Sequence, residues 1–451
     1  MSAYSLFTAV CWSKMDNEPV WQRLVRLLPL LLLPLLAQGA GFDYAPGLSN
    51  HLYPFPVTPM PAVGIPFRDP AFGTPLVRIT DVRKGRFPSR IQGLTNEYSR
   101  YDALNADGSL LLVRGTDGSW HLYEMNGYRY RETLFGKRGD FSPRWHTSDP
   151  QRLFFIQGSG FYEYHLGKRE SRQLYDFKKR YPDASFIRIG KGEGSLDNRY
   201  WAFMVIRYDN SKPKGRKRTL LDLVTFDAER REIVASLRAT SKKMEAKIPR
   251  TVTVSMSGNY VLVEYIPRIV VYRRDFSDER ELPGRFGHGD LARGKEGQDL
   301  FVGQDNDTDQ IVMVDLATLE RTPIMEIPFR SPRLGGVSYR GFHVSGNAAD
   351  TPGWVLVSTY GNALRPTYWS DGAIFLLELK RDGRHWRIAH TRSMTARTKK
   401  KDYWAEAFAT IDRRGKNVFW SSNWGIPKEN YVDLYRAVLP DGWHRKLGAG
   451  R

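Results

Sequence analysis

Cysteine is nearly missing from this sequence of 451 residues, and the only one, Cys11, lies close to the N-terminus. A lone thiol excludes an internal disulfide and any multi-cysteine metal site, so the fold must be held by its core. Long apolar runs are scarce too. The one that stands out, Leu27 to Leu36, is interrupted by Pro29 and Pro34 and is well short of the roughly 20 residues that span a bilayer. No later run is longer, so no membrane span is expected. Helical periodicity is weak throughout. A glycine-rich phosphate loop, a serine-nucleophile motif and a cysteine nucleophile are all lacking, which removes the phosphate-loop nucleotide enzymes and the serine and cysteine hydrolases from consideration.

The short apolar run has a reading of its own. Arg23 and Arg26 precede it and Ala37-Gln38-Gly39-Ala40 follows it, which is the order of a signal peptide: positive flank, apolar core, small-residue cleavage region. Residues 1–40 are therefore expected to be a leader, and the protein to be secreted or periplasmic. Acidic residues are outnumbered. Lys and Arg total 68 against 49 Asp and Glu, a formal charge of +19. The leader accounts for +1 of it, three cations (Lys14, Arg23, Arg26) against two anions (Asp16, Glu18), which leaves +18. Such a field attracts polyanions. Export argues against nucleic acid as the partner, and an anionic polysaccharide takes its place.

What the sequence has in quantity is short period-two apolar runs between Gly, Asp and Asn clusters. Asp299–Gln304, Gln310–Asp315 and Arg321–Glu326 follow Gly287-His288-Gly289-Asp290. Trp354–Thr359, Ala373–Glu378 and His385–Ile388 follow Gly341-Phe342-His343-Val344-Ser345-Gly346-Asn347 in the same way. Alternation of this kind marks strands, and a unit of about 45 residues with four of them is the mark of a propeller blade. Seven units are expected, all-β, as a seven-bladed β-propeller of four-stranded antiparallel blades over residues 76–451. The first inner strand is expected at Tyr98–Ala103 and the last at Tyr403–Glu406. Residues 41–75, rich in proline, read as an extended arm. Leu76–Thr80 is strand-like and suited to pairing with the last blade to close the ring.

Strand direction sorts the candidate chemistry. In an up-and-down blade the ends of the first and third strands share a face with the starts of the second and fourth. His146 and His165 end first and third strands of the second blade, Tyr260 begins a second strand in the fourth, and Arg274 follows its third. β-Elimination from a uronate polymer needs a cation on the C5 carboxylate, a base for the C5 proton and an acid for the departing O4. Arginine suits the first role, histidine or tyrosine the others. On the opposite face His288, His343 and His390, with Asp290, make a donor set for a divalent metal, zinc or calcium in a structural role. Each residue also has an ordinary reading: His146 capping a turn, Tyr260 packing a blade, the three histidines hydrogen-bonded in the core.

Several segments carry a resemblance. Pro143-Arg144-Trp145-His146-Thr147-Ser148-Asp149-Pro150, Ser255–Tyr260, Arg274-Asp275-Phe276 and the His343 block with Thr351–Tyr360 resemble the seven-bladed ulvan lyases and, more distantly, the oligogalacturonate lyases, from about Pro66 to Pro440. The resemblance implies a polysaccharide lyase that cuts uronate-containing chains by elimination. It puts His146 and His165 in proton transfer, Tyr260 as acid or base and Arg274 on the carboxylate, with Arg144 and Arg268 as substrate contacts, Arg268 or Tyr265 being alternatives for the weaker positions. The alternative from a different class is a non-catalytic propeller that binds an acidic glycan or a cell-envelope partner.

Overall fold

Each apolar run becomes a strand because its two faces are both covered by neighbouring blades, so even-numbered and odd-numbered side chains are buried alike. Trp354–Tyr360 is buried at every position, and Tyr260–Glu264 at all but the first. Outermost strands meet solvent, as in Arg129–Phe135, where exposed and half-buried positions alternate. The computed structural model describes residues 42–53, 58–84, 87–136, 140–209, 217–238, 248–327, 341–360, 366, 368–397, 400–426 and 428–449; the leader expected over 1–40 lies outside them. Six four-stranded antiparallel sheets span 94–135, 144–176, 186–238, 251–281, 286–326 and 341–390. In all six, strand order in the sheet follows chain order, and we number them blades 1 to 6.

Blade 7 is built from both ends of the chain. Thr410–Ile411, Asn417–Ser422 and Asp433–Val438 are completed by Pro75–Arg78, which pairs antiparallel with the last of them through Leu76 opposite Ala437 and Arg78 opposite Tyr435, and Phe67–Arg68 adds a short outer strand. The ring therefore closes on the strand anticipated at Leu76. Ahead of it, the arm lies along blades 6 and 7: Tyr44 packs on Trp386 with ring centroids 5.0 Å apart, and Arg387 donates to the carbonyl of His51 at 2.9 Å. Tyr44–Arg451 pack as one compact unit.

The core is a set of wedges between blades. Phe154, Phe161, Trp201, Phe203 and Phe226 fill the space between blades 2 and 3, and Val302, Ile311, Val355 and Phe375 that between blades 5 and 6. Wholly buried side chains of this size contribute about 1.5–3 kcal/mol each, which is how a chain without disulfides holds a ring. Two inner strands differ from expectation. Blade 1 begins at Leu94–Thr95 rather than at Tyr98, and Tyr403–Ala405 is a single 3-10 turn, capped by Asp402 accepting from the Trp404 amide at 3.1 Å, ahead of the true strand Thr410–Ile411. After the ring, a short helix, Trp443–Ala449, lays Trp443 against Trp354 and Trp386.

Candidate active site

A propeller of antiparallel blades has two unlike ends. At one, first strands end and tight turns follow; this is the turn face. At the other, first strands begin and the longest connections of the sequence, such as the one between Glu326 and Gly341, join strands; this is the loop face.

On the loop face two of the expected histidines meet. His288, from Phe286–Arg293, and His343, from Gly341–Ser345, have ring centroids 4.7 Å apart in an edge-to-face contact. Nδ1 of His288 lies 3.2 Å from the hydroxyl of Tyr98, and Nε2 of His343 lies 2.9 Å from Oε2 of Glu406. Tyr360 stacks on the far side of His343. Nζ of Lys191 stands 4.1 Å from the centre of the Tyr98 ring. Four blades and the turn before blade 7 thus deliver one cluster to the axis. His288 is its half-buried member, while His343 and Tyr98 are buried.

The electrostatics of this cluster follow from burial. Desolvation, then the neighbouring His343, holds His288 well below the ordinary histidine range, so its ring is neutral at pH 7. Desolvation raises the phenol of Tyr98 above its usual value and keeps it protonated. Lys191 is brought down to about 8, first by desolvation and then by Arg250 and Arg100. A neutral imidazole, a protonated phenol and an ammonium that titrates near neutrality are the parts of an acid–base site. Deeper along the axis Arg100 is bound to Glu264 at 2.6 Å and stands 4.0 Å from Asp290, whose carboxyl burial pushes up to about 7.

The turn-face residues are dispersed. His146 is half-buried on the wall of an axial cavity and of a groove between blades 2 and 3. Its Nδ1 accepts from the amides of Ser148 at 3.3 Å and Asp149 at 3.1 Å, which places the proton of the neutral ring on Nε2. Burial lowers its pKa. His165 stands two strands further out, across Arg152, with Nδ1 accepting from Lys168. Tyr260 packs between blades 4 and 5. Arg274 lies 3.7 Å over the ring of Tyr200 and donates to the carbonyl of Gly258 at 3.0 Å. Neither Tyr260 nor Arg274 lines the cavity that His146 faces. Arg144 is buried at 2% exposure, 3.5 Å over Tyr101 and donating to Gly192 and Pro143, which leaves it no route to a substrate. Arg268 is exposed and forms a two-pronged pair with Glu281 at 2.9 and 2.6 Å.

The third histidine of the expected metal set is elsewhere. His390 packs on Phe72 in the arm, with Nδ1 4.0 Å from Asp69. Among the described residues no group of three or more His, Cys, Asp or Glu is arranged to hold a metal ion. One nitrogen of each imidazole and Oε2 of Glu406 are at hydrogen-bonding distances from protein partners, and His390 lies apart, so the expected three-histidine donor set is not assembled. Asp305, in the acidic stretch Asp305–Asp309, is likewise engaged as a hairpin turn, accepting from the Asp307 amide and paired with Arg321.

Sequence reasoning placed His288 and His343 on one face as metal ligands and did not single out Tyr98, Lys191 or Glu406. The first two lie near Gly93 and Gly192 in stretches without strand alternation, and that irregularity was their only signal.

No family model matches the sequence, and no curated protein matches it in sequence. Among solved structures the chain is similar to an oligogalacturonate lyase in complex with manganese, with a TM-score of 0.57 and 16% identity over 84% of this chain and 96% of that one. An oligogalacturonate lyase from Vibrio parahaemolyticus gives a TM-score of 0.57 and 13% identity over 84% of this chain and 97% of that one. At these identities the likeness is one of fold, that of a seven-bladed propeller.

Proposed function

We propose that this protein is an exported polysaccharide lyase that cleaves a uronate-containing anionic polysaccharide of the ulvan type by β-elimination, at the loop-face end of its axis. The observation that carries this reading is the contact between Nδ1 of His288 and the Tyr98 hydroxyl at 3.2 Å, with the Lys191 ammonium against the same tyrosine. The fold shared with proteins named oligogalacturonate lyases supports the class of reaction.

Lys191, together with the exposed Arg250 at the start of blade 4, faces the C5 carboxylate and offsets the charge that builds on it as the C5–H bond breaks. The base is His288. In the tautomer with Nδ1–H donating to the Tyr98 oxygen, Nε2 carries the lone pair and takes the proton. As the C4=C5 double bond forms and the C4–O4 bond breaks, the imidazolium returns that proton to O4. Tyr98 holds the ring, and the His343–Glu406 pair packs edge-on behind it. General acid–base assistance of this kind is worth about 10²–10⁴ in rate.

The test is direct. Purified protein is incubated with ulvan, pectate, alginate and glycosaminoglycans while absorbance is followed near about 235 nm, where the unsaturated product of elimination absorbs. Product from at least one uronate polymer, lost in His288→Ala and Tyr98→Phe, is the expected result. Binding of a polymer with no absorbance from any member of the panel would replace the lyase with the non-catalytic glycan binder that a charge of +19 also suits. Activity that survives His288→Ala and disappears in His146→Ala would move the reaction to the turn face.

A further inference from the structure

The other end of the axis holds a cavity that elimination does not use. Its volume is about 350 Å³, and blades 1, 2, 3, 4, 6 and 7 all contribute to its wall. That volume is within the range of small-molecule sites, about 300–1,000 Å³. Leu104, Trp145, Leu196 and Met256 give it an apolar side. Its charged groups are opposite in sign to the rest of the protein: Asp102, Glu193, Asp350 and Asp412 against Arg413 and Arg414, in a chain that carries +19 overall.

Both guanidiniums already have partners. Arg413 donates to Asp350 at 3.1 Å and to the carbonyl of Leu196 at 3.3 Å, and Arg414 donates to the carbonyl of Ala106 at 2.8 Å. The Asp412 carboxylate accepts from the Lys416 and Asn417 amides and from the Asn417 side chain. Asp102 and Glu193 are different. Asp102 accepts one amide on each oxygen, from Leu104 at 3.0 Å and Arg413 at 3.1 Å, and Oε1 of Glu193 accepts the Asp102 amide at 3.1 Å. A carboxylate offers about four acceptor sites, so both retain capacity toward the cavity. Arg144 approaches Glu193 only to 3.8 Å. Burial drives both carboxyls upward, Glu193 to about 7 against the pull of Arg144, and the neighbouring acids Asp412 and Glu193 add to the rise at Asp102.

We propose that this cavity is a second binding site, taking a small organic ammonium ion whose nitrogen sits between Asp102 and Glu193 and whose body lies against Trp145, Leu196 and Met256. The assignment is independent of the lyase reading, since the two ends of the axis are lined by different residues. It also gives the two ends opposite preferences, polyanion at the loop face and cation at the turn face.

The experiment is calorimetric titration of the full chain with three probes of similar length, putrescine, 1,4-butanediol and succinate, at pH 8. Putrescine alone should bind, at one site per chain. The protein's net positive charge opposes scattered surface binding of a diamine, so saturable heat reports the cavity. Asp102→Asn and Glu193→Gln should each weaken it by about tenfold or more, as loss of a charge-assisted hydrogen bond does. Leu196→Trp, which fills the cavity while leaving both carboxyls in place, should abolish binding with the circular dichroism spectrum unchanged. No binding of putrescine to the unmodified protein, equal binding of butanediol or succinate, or undiminished affinity in the carboxyl variants would overturn the proposal.

Discussion

Nη2 of Arg78 lies 2.6 Å from Oδ2 of Asp433, across the seam where the first strand of the ring joins the last. Both side chains are almost wholly buried, and Asp433 also accepts from Tyr431 at 2.7 Å, Thr80 at 3.1 Å and the Val82 amide at 2.9 Å. One carboxylate thus ties the segment Arg78–Val82 to the last strand of the ring. Asp433→Ala leaves the buried guanidinium of Arg78 with Asp81, at 3.1 Å, as its remaining acidic partner, at a cost of about 1–3 kcal/mol. A lowered urea midpoint with an unchanged slope is expected. An unshifted midpoint would mean that the seam is held by its strand pairing and apolar contacts alone.

The glycine that ends the motif around His343 is set by packing. A Cβ on Gly346 would run into the carbonyl of Leu291 in the neighbouring blade. Because backbone cannot swing aside as a side chain can, Gly346→Ala should destabilise the ring by about 1–3 kcal/mol or more. Gly136, which has nothing within 4 Å of the added carbon, is the matched control and should change the melting temperature little. Equal effects at the two positions would show that the cost is one of backbone freedom and not of blade-to-blade contact.

Two histidines, His121 buried and His385 half-buried, make the fold acid-sensitive. His121, bonded to Ser119 and Thr133, is lowered to about 4, and His385, stacked on Trp369, is also lowered to about 4, in both cases by desolvation first. In the unfolded chain each returns to about 6.5. Between these values the unfolded state binds more protons, so stability is full above about pH 6.5 and is lost as pH falls toward 4. The contribution is on the order of 2 kcal/mol for each ring. Urea midpoints taken from pH 7 to pH 4.5 should fall, and His385→Phe should flatten the curve.

Much of the ring was legible because strand alternation and tight turns are local. Asp299–Glu326 and Trp354–Ile388 announce blades 5 and 6 by their own composition, and Leu76 announces closure by being strand-like ahead of the first blade. The inner strands were less legible. They are two to eight residues long, and near the axis charged and aromatic residues replace the alternating pattern, so that Tyr98 and Tyr403 read as strand in the sequence although the strands lie at Leu94–Thr95 and Thr410–Ile411. The candidate site lay further from view. Strand direction correctly predicted that His146 and His165 share a face, but it does not report which side of a blade a side chain takes. Tyr260 turned toward blade 5 and Arg274 toward Tyr200 of blade 3. Tyr98 and His288 are separated by 190 positions, and only closing the ring brings them together.

The most discriminating prediction concerns Lys191. Its ammonium is held down to about 8 by burial first and by Arg250 and Arg100 next, and in the proposed chemistry it acts only while charged. Protonation is complete well below 8 and is lost as pH rises through it, so kcat/KM should decline on the alkaline side with a midpoint near that value. A guanidinium keeps its charge throughout. Lys191→Arg should therefore move the alkaline limb upward by more than a unit, whereas Lys191→Met should lower kcat/KM at pH 7 by about tenfold or more and remove that limb. His146→Ala, at the other face, should leave the profile in place and cost only the turn it caps, about 1 kcal/mol of stability. Were the alkaline limb to persist unmoved in Lys191→Arg, the cation facing the uronate would have to be Arg250 and the limb would belong to another group, which the Arg250→Lys variant, measured over the same pH range, would then locate.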